Sequence, residues 1–337
     1  MIEFDLSDDE RLIQRTARDF ALAKLGPRVR EHEASGVPDA LVEEFRGLGL
    51  DAVGANLGPF AQVLVLEELG AVDAAAALAL DPAAPARHAM FRLGDATQFE
   101  ALLPGRRAAL AVDLEGRLEV EGDAFTGLVA WCPIREPSQV VVLRTGGACL
   151  FESDGFRAQP VRALALDAAG GCEIRFERSE PAARLEGDPS LALAEVQLHV
   201  AGFLVGLLRA SYEYVARYVH DRVTFGRPLA QHEAIAFYVV EMALAADSAR
   251  LATWRAAHAL QNGPDAPWAA AAALAEASES ALAMTSRAVQ LLGGHGYMKD
   301  HPVEKWMREA RALTLAWGGP DALASTLSRS FEHSAEA

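Results

Sequence analysis

Apolar residues in the first third of the chain recur every three to four positions, which is the period of one helix face. Ser7 and Glu10 have the spacing of a capping box, and Ile13, Ala17 and Phe20 follow on one face of the helix that it opens. Further helices are predicted over residues 39–48, 60–69 and 84–93, the second of them ending at Gly70. This part of the chain is therefore predicted to be a layer of α-helices.

From about residue 106 to residue 186 the pattern changes to short apolar or alternating runs separated by Gly, Asp and Pro. Such runs are typical of strands joined by turns. The predicted strands cover residues 108–112, 118–120, 125–130, 139–143, 148–151 and 172–176. We expect a small antiparallel β-domain here.

The rest of the chain returns to helical spacing. Long amphipathic helices are predicted over residues 191–219, 231–261, 266–292 and 302–316. Four such helices with short loops predict a four-helix bundle, one face of which we expect to pair with another subunit. The predicted fold class is α+β, with an N-terminal helical domain in residues 1–105, a reduced β-domain in 106–186 and the bundle in 187–337.

Composition narrows the class of protein. The net charge of -16 argues against nucleic-acid binding, which needs a clustered basic surface. The odd number of cysteines, Cys132, Cys149 and Cys172, and their spacing indicate neither a disulfide framework nor a metal site. Residues 1–5 lack the apolar core of a signal peptide, and no long uncharged apolar window predicts a membrane span. A cytoplasmic protein with reduced thiols is expected.

A glycine-rich turn follows the third predicted bundle helix. Gly293, Gly294 and Gly296 come directly after its apolar face. Glycine frees the backbone to adopt positive φ, and exposed N–H groups in such a turn suit an anion. For an isolated Gly-Gly pair, a plain helix C-cap is the commoner explanation.

A second stretch favours a ligand-binding turn over a plain helix C-cap. Residues 222–229 form the loop after the first bundle helix, with Arg222 beside Phe225 and Gly226. A guanidinium next to a glycine turn can bind a phosphate in bidentate fashion. Phe225 could pack on the apolar part of a ligand or belong to the bundle core.

Together the two stretches resemble the C-terminal domain of the acyl-CoA dehydrogenases, in which R-x-x-F-G and Q-x-x-G-G motifs bind FAD across a subunit interface. The resemblance implies FAD contacts at Arg222, Thr224, Phe225, Gln290, Gly293 and Gly294. One departure is Glu233, where the family usually has Gln. A carboxylate near a pyrophosphate would be repulsive, so we expect either that the flavin contact is altered or that Glu233 turns away, toward Arg227 or His232.

The β-domain departs further from the family. There the family covers the flavin ring with a T-E-P…G-S-D segment and a W-x-T/S segment. This chain passes from Asp113 directly to Leu114 without the first segment, and Trp131 is the one remnant of the second. An ordinary core aromatic is the preferred interpretation of Trp131. The chain is therefore predicted not to build a complete flavin pocket from its own β-domain.

The catalytic base is missing as well. By resemblance, the family's glutamate stands at one of two positions, which are Trp317 and Val196 in this chain, so we predict no catalytic residue. Glu195 lies one residue out of register, about 100° around the helix. Asp300, Glu304 and Asp321 are expected to cap helices or form ion pairs.

The chain keeps the motifs that it would lend to a neighbour and lacks the parts that it would use itself. This resembles the base-lacking subunit of α2β2 acyl-CoA dehydrogenases of steroid side-chain degradation. It implies FAD shared with a second subunit that carries the base, an acyl-CoA substrate at that subunit's site and electron-transfer flavoprotein as acceptor. Two alternatives stay open: a self-sufficient dehydrogenase with a relocated base, such as Glu195 or Asp321, and a flavin-free scaffold or lyase. The acyl group is not specified by the sequence.

Overall fold

The computed structural model of the chain describes residues 5–94, 107–263 and 265–335. It confirms the predicted α+β class, with helical, β and helical layers in chain order. The boundary predicted between residues 105 and 106 lies outside the described residues. The boundary at residue 187 stays a prediction, although the last strand ends at Glu186 and the next helix begins at Ser190.

The N-terminal layer is helical, as predicted. Its first helix carries the predicted capping box, in which the Ser7 backbone N–H donates to Glu10 Oε2 over 2.7 Å and the Glu10 N–H donates to Ser7 Oγ over 3.3 Å. A π-turn (Ala21–Leu25) and a 3-10 turn (Gly26–Arg28) follow this helix. The α-helices are α1 (Asp8–Phe20), α2 (Val29–Ser35), α3 (Asp39–Gly47), α4 (Val53–Leu57), α5 (Pro59–Leu80) and α6 (Ala84–Leu93).

Helix α5 does not end at Gly70, so that prediction is wrong. The helix continues to Leu80 and is interrupted only at Asp73, which has φ -158° and ψ 93°. Gly70 serves close packing instead, because a Cβ there would lie 2.7 Å from the carbonyl oxygen of Phe203. A glycine inside a helical pattern can either end the helix or allow close packing, and the sequence alone does not distinguish the two roles.

The β-domain consists of two four-stranded sheets, in the orders β1-β4-β5-β8 and β2-β3-β7-β6. The strands are β1 (Ala108–Asp113), β2 (Glu119–Glu121), β3 (Ala124–Cys132), β4 (Gln139–Arg144), β5 (Gly147–Glu152), β6 (Arg157–Pro160), β7 (Cys172–Ser179) and β8 (Ala183–Glu186). Phe125, Phe151 and Phe176 pack between the sheets, with the last two ring centroids 4.7 Å apart.

Two expectations for this domain are wrong. The sheets are not wholly antiparallel, because β1 pairs with β4 in parallel after the chain crosses to the other sheet for β2 and β3. Strands β6 and β8 were not predicted. Both carry polar, largely exposed residues at the sheet edges, so they lack the apolar run that marks a strand.

The C-terminal layer contains the four predicted helices and one more. They are α7 (Ser190–Asp221), α8 (Glu233–Asn262), α9 (Ala266–Leu292), α10 (Val303–Leu315) and α11 (Gly319–Ala335), the last of which was not predicted. Helix α7 packs against α5, α6, α8 and α9. Its composition and length would suit a membrane span, but 89% of its most apolar window is buried inside the protein.

Glycines on α7 permit the close crossing with α5. A Cβ on Gly206 would lie 2.2 Å from the Glu67 carbonyl oxygen and 2.7 Å from the Ala71 nitrogen, both of which are backbone atoms. A Cβ on Gly202 would lie 3.0 Å from Leu66, whose side chain can shift. The crossing therefore depends more on Gly206 than on Gly202.

We expect Gly206→Ala to destabilise the protein by roughly 3 kcal/mol, because overpacked backbone cannot relax as a side chain does. Chemical denaturation at fixed pH measures this change. Gly47→Ala is the control, since a Cβ at this exposed last residue of α3 would meet nothing within 4 Å. Equal stabilities of the two variants would contradict the assigned role of Gly206.

Candidate functional site

The loop after α7 is a tight hairpin. Arg222 caps α7, and the two-residue strands β9 (Val223–Thr224) and β10 (Arg227–Pro228) pair antiparallel on either side of Phe225 and Gly226. The Leu229 N–H donates to the Arg222 carbonyl oxygen over 2.8 Å and closes the loop. The hairpin presents Arg222 and Phe225 at the surface.

Phe225 is both exposed and strained. Its side chain is 93% exposed, and its φ is +52°, a region that bulky L-residues rarely adopt. A two-residue hairpin turn with positive φ at both central positions normally takes Asn or Gly at the first of them. An exposed aromatic held in such a conformation indicates a contact made outside this chain. The alternative that Phe225 belongs to the bundle core is wrong.

The glycine turn lies at the end of α9. Gly293 requires glycine because its φ is +59°, and Gly296 requires it because a Cβ would lie 2.3 Å from the Val289 carbonyl oxygen. Gly294 has neither requirement: its φ is not positive, and a Cβ would meet nothing within 4 Å. Gln290 is exposed beside it. The bare backbone at Gly294 thus leaves room for a group from outside the chain.

The two motifs meet at the same end of the bundle. Tyr218, one turn before Arg222, places its hydroxyl 3.4 Å from the carbonyl oxygen of Leu292, which ends α9. Arg222, Phe225, Gln290, Gly293 and Gly294 are exposed, and Thr224 is half-buried. Together they offer a guanidinium, a hydroxyl, a carboxamide, backbone N–H groups and one aromatic ring. This donor set fits the phosphates and ring system of a flavin nucleotide.

The expected pairing of Glu233 is not found among the described contacts. Glu233 is the exposed first residue of α8. Arg227 Nη2 instead lies 3.2 Å from His232 Nδ1, and His232 Nε2 lies 3.3 Å from the Thr224 carbonyl oxygen. The imidazole therefore ties the hairpin to the start of α8.

A second candidate site lies between the β-domain and α10. It is a cavity of about 680 Å³ with Trp131 on one wall and Trp317 on another. Trp131 is half-buried and packs against the main core, as a core aromatic would, but it also lines this cavity. Its Nε1 is buried and has no hydrogen-bond partner among the described residues.

The cavity offers few polar groups to a cofactor. Asp113 accepts backbone N–H groups from Arg117 over 2.7 Å and from Leu118 over 3.2 Å, which closes the short turn after β1. Arg117 pairs with Glu115 over 2.9 Å and also with Asp321. Among the described lining residues there is no Ser, Thr, Asn or Gln side chain. These residues fit a flavin ring poorly, because the described lining has no hydroxyl or carboxamide side chain and Asp113, Arg117 and Asp321 already have partners.

The two positions at which the sequence resemblance places the family's base lie against one hydrophobic cluster. Val196 is 1% exposed in the core formed by α6, α7 and the first sheet, and Trp317 packs against the same core. The Trp317 backbone has φ +48°, and its ring meets the His199 ring edge-on with centroids 6.2 Å apart. Neither an indole nor an aliphatic side chain at these positions can accept a proton.

Glu195 is held in an ion-pair network. It accepts from Arg92 over 2.8 and 2.5 Å, and its other oxygen lies 3.2 Å from His88 Nδ1. Burial raises the pKa of Glu195, but His88 and Arg92 outweigh burial and hold it below 4.5. The adjacent void is about 10 Å³, which is room for about one water molecule at most. A substrate has no room beside this carboxylate.

Two of the three other carboxylates that the sequence singled out, Glu304 and Asp321, form ion pairs, whereas Asp300 is exposed and makes none among the described contacts. Glu304 pairs with Arg30 over 2.7 Å and with Arg308 over 2.8 Å, and Asp321 pairs with Arg117. These pairs agree with the expected role. Sequence reasoning missed the Arg117 bridge, because it joins residues that only the fold brings together.

The comparisons with known proteins agree with this geometry. The sequence matches the acyl-CoA dehydrogenase N-terminal domain over residues 7–106 and the acyl-CoA dehydrogenase C-terminal domain over residues 190–330. The chain belongs to the acyl-CoA dehydrogenase family. It is 31% identical to the mitochondrial short-chain specific acyl-CoA dehydrogenase of Bos taurus, with 93% of this chain and 88% of the relative covered.

Two solved structures show the same acyl-CoA dehydrogenase fold. Butyryl-CoA dehydrogenase from Megasphaera elsdenii gives a TM-score of 0.83 at 22% identity, covering 98% of this chain and 100% of that one. The steroid acyl-CoA dehydrogenase Tcur3481-Tcur3483 gives 0.85 at 24% identity, covering 98% of this chain and 99% of that one.

We expect Glu195→Gln to lower the free energy of unfolding at pH 7 by about 2 kcal/mol, because Arg92 and His88 lose their partner. Folding lowers the pKa of Glu195, so the ionised carboxylate stabilises the folded wild-type protein. The wild type is therefore more stable than Glu195→Gln above pH 4.5, and this difference is lost as the pH falls through the folded-state pKa. Denaturant titrations at pH 7 and below pH 4 measure it.

Glu213→Gln is the matched control, because Glu213 is an exposed carboxylate on the same helix. A Glu195→Gln protein with unchanged stability but no dehydrogenase activity would instead support the relocated-base alternative.

Proposed function

We propose that this acyl-CoA dehydrogenase is the non-catalytic subunit of a heteromeric enzyme, and that it completes the FAD site of a partner subunit. The observation that carries the proposal is the outward-facing motif, in which the strained Phe225 ring is 93% exposed. The side chains of Trp317 and Val196, neither of which can act as a base, support it.

The hairpin of residues 222–229 and the glycine turn of residues 293–296 are together called the outer motif. The outer motif supplies what a flavin nucleotide needs from a second chain. Arg222 would bind the pyrophosphate with its guanidinium, and the open backbone at Gly293 and Gly294 would let the nucleotide approach closely. Phe225 would cover the apolar part of the cofactor and exclude water. Bound FAD supplies the acceptor for the hydride that leaves the acyl thioester.

This chain's residues hold no proton acceptor at the family's base positions. Indole and an aliphatic side chain cannot take the weakly acidic α-proton of a thioester. The partner is therefore proposed to carry the base and the acyl-CoA site. The reaction is α,β-desaturation of an acyl-CoA, with electron-transfer flavoprotein as the electron acceptor in the cytoplasm.

A steroid side chain is the proposed acyl group. The shared fold with the steroid acyl-CoA dehydrogenase Tcur3481-Tcur3483, which has a two-part designation, supports this choice. An α2β2 assembly follows if this chain pairs with a base-carrying subunit. The exposed apolar residues on α8, among them Phe237, Val240 and Leu244, would lie in such an interface.

Affinity purification of the tagged chain from its native cells tests the assembly. We expect a yellow complex that contains a second acyl-CoA dehydrogenase-like chain and one flavin for each pair of chains. Expressed alone, the chain should be flavin-poor and inactive. An active homo-oligomer with one flavin in every chain would overturn the proposal.

We expect Arg222→Ala to weaken FAD binding by the complex at least tenfold, because a charge-assisted hydrogen bond contributes about 1.5–3 kcal/mol. Equilibrium dialysis against FAD measures this change, and size-exclusion chromatography checks that the complex is intact. Arg217→Ala is the control, since Arg217 is exposed on the same helix. Equal FAD affinity in the two variants would remove Arg222 from the site.

A further inference from the structure

Four aromatic and imidazole side chains connect the two halves of the outer motif. Tyr214 and Tyr218 extend from α7, and His295 and His301 lie in and just after the glycine turn. Tyr218 Oη lies 2.9 Å from His295 Nδ1, and Tyr214 Oη lies 2.6 Å from His301 Nδ1. These residues are called the clasp below.

The rings of the clasp also pack on one another. The His295 and His301 rings are stacked, with centroids 5.3 Å apart and an interplanar angle of 18°. Tyr218 meets both rings edge-on at 6.2 and 6.0 Å, and Tyr214 lies edge-on between His301 and Trp306. These contacts pack the turn and the residues after it against α7, and the Tyr214–Trp306 contact joins α7 to α10.

The Tyr218 hydroxyl can satisfy two contacts at once. It has one proton, which it can donate to the carbonyl oxygen of Leu292 at 3.4 Å while it accepts the Nδ1–H of His295. Leu292 is the last residue of α9, where backbone carbonyls lose their regular partner in the helix. This arrangement requires His295 to carry a proton on Nδ1 and fixes the turn to α7.

The same helix face carries the first half of the motif. Positions 214, 218 and 222 are four residues apart, so their side chains lie on one side of α7. The Arg222 N–H donates to the Tyr218 carbonyl oxygen over 2.9 Å. A tyrosine that binds the turn thus lies one helical turn from the guanidinium.

We propose that the clasp residues, and Tyr218 and His295 above all, are positioning residues that hold the glycine turn at the distance from Arg222 that shared FAD binding requires. The inference rests on the proposed function. The clasp acts through Arg222 and the turn's backbone N–H groups and need not touch the cofactor itself.

Tyr218→Phe tests the clasp, because it removes one hydroxyl and keeps the ring. In the isolated chain we expect the amides of residues 293–296 to exchange with solvent roughly fivefold faster, since the turn loses its tie to α7. Tyr212→Phe is the matched control: Tyr212 is on the same helix and makes no hydrogen bond among the described contacts. Unchanged exchange in Tyr218→Phe would show that the hydroxyl does not hold the turn.

FAD binding by the purified complex is the second measurement. We expect Tyr218→Phe to weaken it about five- to tenfold and to shift the flavin absorbance spectrum, while the subunits stay assembled. His295→Asn should largely restore the affinity that His295→Ala loses, because the carboxamide offers an N–H in place of Nδ1–H.

The outcomes separate the two proposals. Faster exchange with unchanged FAD affinity would overturn the positioning role, and so would equal losses in His295→Asn and His295→Ala. A wild-type complex that holds no flavin would overturn the proposed function and the positioning role together. In that case the exchange result on the isolated chain still shows whether the clasp orders the turn.

Discussion

The close approach of α5 to α7 sets the position of almost everything else in the protein. Gly206 lets the backbone of α5 at Glu67 lie where any side chain would collide with it. Helix α7 can then run through the centre, with its first turns against the β-domain and its last turn at the surface. Because one rigid helix joins these regions, the inner base position at Val196 and the outer motif at Arg222 are fixed relative to each other.

The crossing buries two acidic side chains, and the fold supplies partners for both of them. Glu67 accepts from Trp254 Nε1 over 2.6 Å and from Arg250 over 3.2 Å, although burial still raises the pKa of Glu67 to about 7. Glu68 binds Arg18 and Arg209. Buried carboxylates are tolerated only when paired in this way, so α1, α7 and α8 are tied to α5 by charge as well as by packing.

The two ends of α7 have opposite character. At the inner end Val196 lies in the closed core, Glu195 is paired with Arg92 and His88, and Trp317 lines the large cavity without offering a proton acceptor. At the outer end the structure keeps what folding alone would not favour, namely an exposed aromatic at positive φ and a glycine that nothing in the chain requires. Trp317 at the inner end also has positive φ, but it packs against the core, whereas the Phe225 ring is 93% exposed and its strain has no compensating burial within the chain. This contrast is the basis of the proposal that this family member works with a partner subunit.

The sequence by itself determined the layers, most of the helices and the motif residues, because helix periodicity, capping and glycine spacing are local properties of the chain. It predicted the capping box at Ser7 and the ends of α7, α8 and α9 to within a few residues. It failed where a residue's meaning depends on distant neighbours. Gly70 is a packing contact and not a stop, β1 pairs in parallel with a strand far along the chain, and the edge strands β6 and β8 have no apolar signature.

Only the tertiary structure decided which residues of the site are buried, which are exposed and which lie next to one another. Sequence register excluded a base at Trp317 and Val196, but it could not show that both lie against one packed cluster or that Arg92 and His88 hold Glu195. It named Arg222 and Gly294 without showing that they are exposed, or that Tyr218 and His295 bring their two loops together. The physical reason is that burial, pairing and adjacency arise between segments far apart in the chain, where no local pattern records them.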